Sequence, residues 1–587
     1  MTDQAQHSPS GLYAVAECDV VDMQNGAALM IDKYSDAQLM VAPTVAQAMQ
    51  LCRTFRSLQD HANALTSSIP ELAGQHADVM NVLNMVQGAG LMVTAESACE
   101  RLNTDVRPAV DLPPTRVFII TCDRPAAVER LLDSMLRSGN LTRHEALFLI
   151  DDSRDQANAA KNRDAVERFN LTCPRNMTYF GAAQARALMD ALIAAQPEHE
   201  QAVRFLIDRE HWAAHKTYGL ARNLSLLLSV GARAIIMDDD VICAAVASPH
   251  TQPGLQFGQL EREVDFYEDQ QDMLGRTART DFDPLSGHAS CLGLNMGQAI
   301  ARLSENRVIP EDLAGANSAY ISLWSAESPV LVTQSGTIGD PGTPGTEWIY
   351  TLDTASTKRL TGFSGGIEGA LASRHYWMGQ PRPMFTKMSV ISQVSGLDNT
   401  RLLPPYFPVF RGEDYLFGAM TEFLHPNAAV LEYDWSVPHM PLEQRTGVPI
   451  PAPLTGKGRL NINKLVTDRT SYHAGISPEA RLQSLAALAR GYSEMSSAAL
   501  LSQFRKEVAE GQAAELRRLG GFLQDGTIRA PAWQTWLTNS ANNINQAMQV
   551  PSRITDMPNL PDGMSEAAAL DAFRAYCTGL ASSLTVS

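Results

Sequence analysis

The chain has 587 residues, 45% of them apolar, and a formal net charge of −17. That length exceeds one ordinary domain, leaves room for about three or four, and supplies enough apolar material for proper cores. The acidic balance argues against a broad nucleic-acid surface, so no nucleic-acid partner is expected; an anionic nucleotide can still bind where a metal and a few Arg or Lys neutralise it.

Eight cysteines (Cys18, Cys52, Cys99, Cys122, Cys173, Cys243, Cys291, Cys577) are scattered without a CxxC pair. Neither a zinc framework nor a disulfide scaffold is indicated, and free thiols in a reducing compartment are. The N-terminus lacks a basic segment followed by an apolar one, and a run of about 18 apolar residues occurs nowhere. These features predict a cytoplasmic protein with no integral membrane segment.

Residues 12–42 alternate in strand fashion, with Leu12-Tyr13-Ala14-Val15, Ala28-Leu29-Met30-Ile31 and Leu39-Met40-Val41. Helical patterns come next near 44–57, 58–66 and 75–88, and Gly88-Ala89-Gly90-Leu91-Met92-Val93 makes a glycine turn into a short strand. This predicts a small α+β, winged-helix-like domain over 1–110. Its plain alternative is a structural cap on the neighbouring domain.

From residue 111 the texture becomes α/β. Arg116–Thr121 is an apolar strand ending in Cys122-Asp123-Arg124-Pro125, and Pro125 suits the first turn of a helix carrying Val128, Leu131, Leu132, Met135 and Leu136. Ala146–Ile150 is a second buried strand ending in Asp151-Asp152-Ser153. In Thr217–Gly231 the leucines 220, 224, 227 and 228 have helical spacing, and Gly231 is where such a helix would stop. Then Ala234-Ile235-Ile236-Met237 runs straight into Asp238-Asp239-Asp240. Alternating strands and helices with polar groups at the strands' carboxyl ends predict a largely parallel sheet, whose ligands bind outside those ends. Three carboxylates where a buried strand emerges are costly unless a cation meets them; in an enzyme that cation is commonly a divalent metal carrying phosphate.

Residues 242–362 are rich in Gly, Pro, Asp, Ser and Thr and exceed an ordinary connection, so they are expected as an insertion near the active site. Further on, Glu413-Asp414 follows Arg411-Gly412, and His439 follows Val437-Pro438. An acid pair can be a helix N-terminal feature and a lone histidine a structural one. Gly365-Gly366 would let a ligand approach the backbone closely or simply form a turn. In Glu210-His211-Trp212-Ala213-Ala214-His215 the Glu precedes the first His, so the metalloprotease pattern is absent and structural roles are expected. Beyond about 465 the chain is Ala-, Leu-, Glu-, Gln- and Arg-rich with helical periodicity over Pro478–Leu523 and about 565–584. Pro531, Pro551, Pro558 and Pro561 break it into pieces, and a helical accessory domain over 465–587 is predicted, serving packing or homo-oligomerisation.

The order of RVFIITCDRP (116–125), LFLIDDS (147–153), GLARNLSLLLSVGARAIIMDDDV (219–241), FSGGIEGALASRHYWMG (363–379), FRGEDYLFGAM (410–420) and WSVPHMP (435–441) resembles the GT-A glycosyltransferases, family-2-like members in particular. The resemblance covers roughly 113–445 and implies a Rossmann-like nucleotide-diphospho-sugar domain over 111–464. It implies Mn2+ or Mg2+ held by Asp238, Asp240 and His439, with Asp238 and Asp239 beside the nucleotide. Thr121, Asp123, Arg124, Asp152, Arg222 and Asn223 would line the nucleotide, and Gly365 and Gly366 the donor sugar or acceptor. Asp414, paired with Glu413, would be the general base toward an acceptor that is a glycan, a lipid-linked sugar or a peptide; the stereochemical outcome stays open. Residues 12–95 resemble, by pattern, the peptide-recognition modules related to the pyrroloquinoline-quinone chaperone (PqqD-like), which implies leader-peptide binding by strand addition. The alternative is a peptide-binding scaffold protein with a degenerate transferase domain.

Overall fold

The computed structural model describes residues 11–24, 26–105, 111–258, 262–342, 345–390, 393–443, 476–556 and 563–586. The boundaries expected at 110 and 464 lie outside them. The first part runs β1 (Tyr13–Val15), β2 (Cys18–Asp22), β3 (Ala28–Asp32), β4 (Gln38–Val41), α1 (Pro43–Met49), α2 (Leu58–Ser68), α3 (His76–Gly88), β5 (Met92–Thr94) and α4 (Ala95–Leu102). Strands β2, β3 and β4 form an antiparallel sheet, and β5 returns to pair with β1.

Next come β6 (Thr115–Thr121), α5 (Pro125–Ser138), β7 (Ala146–Asp151), α6 (Gln156–Asn170), β8 (Met177–Phe180), α7 (Ala182–Ala195), α8 (Glu200–Ile207), α9 (Leu220–Leu227) and β9 (Arg233–Asp238). Helix α5 buries Val128, Leu131, Leu132 and Met135 as its spacing requires, but Leu136 falls off that stripe and is 38% exposed. Gly231 takes φ +74° in the turn that leads from α9 into β9, a conformation glycine adopts without steric cost. These strands stand in the spatial order β9-β6-β7-β8, all parallel. The chain begins this sheet at β6, works outward to β8, and then crosses back to place β9 on the other side of β6. The crevice at the carboxyl ends of β6 and β9 is therefore the topological switch point at which α/β sheets bind ligands.

The sheet continues with β10 (Val246–Ala247), β11 (Gln256–Phe257), β12 (Glu263–Phe266), then α10 (Gln270–Gly275), α11 (Pro284–Cys291), α12 (Met296–Leu303), α13 (Ser318–Ile321), β13 (Val330–Gly339), α14 (Thr354–Thr361) and α15 (Gly366–Ser373). It closes with β14 (Tyr376–Gly379), β15 (Met384–Thr386), β16 (Val394–Asp398), α16 (Glu413–Leu424) and β17 (Ala429–His439). On this side the pairing is mixed: β16 is antiparallel to β9 and β13, while β13 and β17 are parallel. The largely parallel sheet expected from the strand and helix alternation is thus wholly parallel in one half and mixed in the other.

The stretch 242–362, expected as an insertion, is in large part core. All ten residues of β13 are buried, between β16 and β17. Polar side chains are tolerated there because they find partners: Gln334 donates to Glu432 at 2.7 Å, Thr333 meets His288 at 3.0 Å, and Thr337 bonds Gln393. Residues 313–326 form a platform for the N-terminal part. Phe55 and Ala316, Arg53 and Ser318 join through backbone hydrogen bonds, and Arg101 donates to the carbonyls of Trp324 and Ile321.

The last helices are α17 (Pro478–Ser493), α18 (Ser497–Asp525), α19 (Pro531–Ala547) and α20 (Glu566–Val586). They bury their apolar faces within the same chain, at two separate places. Leu482, Leu485, Leu580 and Leu584 join the core that holds Phe205, Leu224 and Phe417. At about 1.5 Å per residue, the 29 residues of α18 span roughly 43 Å. They lead to α19, whose Trp533, Trp536 and Leu537 pack with Leu360, Ile367 and Leu371 of α14 and α15. No helix among the described residues is long and apolar enough to cross a membrane.

Candidate functional site

The acid triplet emerges at the switch point, and each carboxylate meets a cation, Arg124 being shared by two of them. Asp239 spans the crevice: Thr121, at the end of β6, donates to it at 2.6 Å, and Arg124 donates at 2.6 Å. Burial pushes the Asp239 carboxyl up to about 7, against the pull of Arg124. Asp240 accepts from Arg124 at 2.9 Å and faces His439 Nε2 at 3.1 Å. Burial alone would raise Asp240, but the hydrogen bond and charge of His439, with Arg124, hold it well below the usual carboxylate range. Asp238 accepts from Arg222 at 3.0 Å.

His439 is oriented from behind. Its Nδ1 bonds the carbonyl oxygen of Asp340, and Asp340 is itself held by Arg374 at 2.6 and 2.9 Å. This leaves Nε2 directed at Asp240, the arrangement typical of a histidine that serves as a metal ligand. Two donors on adjacent corners of an octahedron with bonds of about 2.1 Å lie roughly 3 Å apart. The 3.1 Å between His439 and Asp240 therefore suits both an ion pair and two ligands of one small divalent cation. The expected third ligand, Asp238, is not gathered with them: the buried guanidinium of Arg222 claims its carboxylate. Among the described residues no group of three His, Cys, Asp or Glu side chains is placed to hold a metal ion. A pair of protein donors completed by phosphate oxygens and water fits Mg2+ or Mn2+, which seldom take all-protein cages.

Arg222 also links the triplet to the acid pair. It is 9% exposed, lies 3.8 Å from Glu413 and sits over the Tyr406 ring at 5.8 Å. Glu413 and Asp414 occupy the first turn of α16, entered through Gly412 at φ +95°. Burial raises both acids above their ordinary values; at Glu413 the neighbouring Asp414 adds to it, and Arg222 opposes it at both. One guanidinium thus stands between the acid cluster at the switch point and a pair of acids whose affinity for protons burial raises.

The remaining expected residues divide. Asp152 is buried at the end of β7, bonded by Thr217 and 3.5 Å from Arg209, and burial raises its carboxyl. Asp123, at φ +57°, accepts from the N–H groups of Arg154 and Asp155 and from Asn158, so it clasps the loops after β6 and β7 together. Asn223 exchanges hydrogen bonds with the backbone of Tyr406 at 2.9 and 2.8 Å and donates to Leu206, which makes it a brace for the 405–407 turn. Gly365 and Gly366 form the turn into α15, with φ +67° at Gly366, and their hydrogen bonds run to Phe363 and Gly369. That turn belongs to the α14–α15–α19 core rather than to the acid cluster.

Sequence reasoning missed Asp340, Arg374, Arg130 and Glu443. Arg130 donates to the Asp240 carbonyl at 3.1 Å, and Glu443 anchors Arg124 at 2.7 Å. Asp340 carries a signal that could have found it: it is one more acid directly after a buried strand, in register beside His439.

No protein-family model and no curated protein matches the chain, so the peptide-recognition resemblance of residues 12–95 stands without support. Among solved structures it is similar to a mannosyltransferase of Pyrobaculum calidifontis, in complex with GDP-Man and Mn2+, at 12% identity and a TM-score of 0.28, covering 78% of this chain and 91% of that one. It is also similar to TarS residues 1–349 of S. aureus, in complex with UDP-GlcNAc, at 11% identity and a TM-score of 0.26, covering 74% and 90%. Likenesses that loose leave the reading of function to the site itself.

Proposed function

We propose that the chain is a metal-dependent glycosyltransferase that takes a sugar from a nucleotide-diphosphate donor. The observation that carries this reading is the two-sided arrangement around Arg222: an acid and cation cluster at the β6–β9 switch point on one side, an acid pair with raised affinity for protons on the other. Thr121 and the buried Asp152 mark the nucleoside side of the crevice, and Arg124 supplies positive charge toward the diphosphate. Asp240 and His439 would hold Mn2+ or Mg2+, which offsets the charge that grows on a departing diphosphate. Asp414, in the first turn of α16 and only partly exposed, takes the proton from the acceptor nucleophile as it attacks the anomeric carbon, and Glu413 shares its field. The acceptor belongs to the class of glycans, lipid-linked sugars or peptides.

A thermal-shift screen of UDP, GDP, CDP and their sugars, with and without Mn2+, tests the reading. One nucleotide should stabilise the protein only with metal, by about 2.7 kcal/mol at a hundredfold excess over its Kd. If no nucleotide gives metal-dependent stabilisation, the reading fails. A second proposal concerns the first part alone: β2 is an edge strand with Val20 and Val21 45% and 46% exposed, and strand addition of a leader peptide there is tested by titrating such a peptide into the full chain.

A further inference from the structure

We propose that Tyr576, on the last helix α20, is a positioning residue for the Glu413–Asp414 pair and acts through Phe410. This rests on the reading of that pair as the acceptor-side acids. The turn that leads into α16 contains two left-handed residues, Phe410 at φ +72° and Gly412 at φ +95°. Glycine takes that conformation freely, but a bulky residue such as phenylalanine is a true outlier there. Strained backbone persists only where its surroundings over-determine it.

The surroundings are aromatic and come from distant parts of the chain. Phe410 stacks on Phe407, with centroids 5.8 Å apart, and takes the edges of Tyr576 at 5.1 Å and His215 at 5.9 Å. The two edge rings are tied to each other, since the Tyr576 hydroxyl lies 3.1 Å from His215 Nε2. This gives His215, half of the histidine pair that matched no metal motif, a structural task. Helix α20 comes as near as a helix can: a Cβ on Gly579 would sit 2.1 Å from the Phe205 ring, and Leu580 and Leu584 enter the same core as Leu416 and Phe417 of α16. The last helix therefore closes over the turn from which the acid pair is aimed, three residues after Phe410.

The test pairs Tyr576→Ala with Tyr576→Phe in the full chain and reads amide hydrogen exchange by mass spectrometry. Releasing strain of this kind should speed exchange of residues 410–417 by roughly five- to thirtyfold in Tyr576→Ala, while peptides from β6 keep their protection. Tyr576→Phe, which keeps the ring, should stay within about twofold of the parent. In steady state Tyr576→Ala should lower kcat at unchanged KM for the sugar nucleotide, with Tyr576→Phe rescuing it. Unchanged exchange at 410–417 in Tyr576→Ala, or a loss of protection spread equally over β6, overturns the proposal. Tyr576→Leu replaces the alanine variant if that chain does not fold. A chain without any glycosyl transfer would sink the functional reading, and the exchange data would still decide whether the clamp exists.

Discussion

Replacing Arg222 with methionine removes a cation shared by the two acidic groups. The guanidinium is 3.0 Å from Asp238 and 3.8 Å from Glu413. At an effective dielectric near 20 these contacts are worth roughly 5.5 and 4.4 kcal/mol before desolvation, which takes back most of it. Deleting one member of such a buried set costs about 3–5 kcal/mol, because the partners stay behind uncompensated. The Asp238 side chain is 27% exposed and water relieves part of its charge, so the low end, about 3 kcal/mol, is expected. The loss should depend on pH. Burial, then repulsion from Asp414, already raises Glu413 above its unfolded value. In that window the native state keeps a proton the unfolded chain has lost, so stability falls as pH rises. Without Arg222 the window extends upward, and Arg222→Met should lose about 1 kcal/mol more at pH 8 than at pH 6. Urea unfolding at the two pH values, with Arg222→Lys beside it, measures this. A deficit below about 1 kcal/mol at pH 8, or one equal at both pH values, would refute the argument.

Two further outcomes are expected from the site and its frame. Asp414→Asn should cut kcat by about 10²–10⁴-fold while the sugar nucleotide still stabilises the protein, as steady-state kinetics and thermal shift can show together. Gly219→Ala would place a Cβ 2.0 Å from the Phe407 carbonyl oxygen; because that atom is backbone, the 405–408 turn must move, and a loss of about 1–3 kcal/mol in urea unfolding is expected.

Much of the acid cluster was legible in the sequence because the rule behind it is local. An apolar run of strand length that ends in polar residues marks the carboxyl end of a buried strand, and Thr121, Asp152 and Asp238 to Asp240 stand at such ends. The same rule would have reached Asp340. The region around it was hidden by composition: β13 reads VLVTQSGTIG, too polar for a core strand unless its Thr and Gln side chains have partners, and those partners lie far away in sequence. Gly365-Gly366 and Asn223 have structural partners in the fold. Their types are common at ligand sites, yet close packing of a turn and bracing of a backbone call for the same residues.

Local pattern by itself determined that strands alternate with helices, that acids collect at strand ends, and that the tail is helical. These features arise from periodicity and end signals within a few residues. Only the tertiary structure decided which charge meets which: that Arg222 takes Asp238 away from the Asp240–His439 pair, that Arg374 and Asp340 orient His439, and that α20 closes on Phe410. Charge pairing in a buried site depends on distances between segments that the chain order does not encode, since burial is what makes each carboxylate require a partner in the first place.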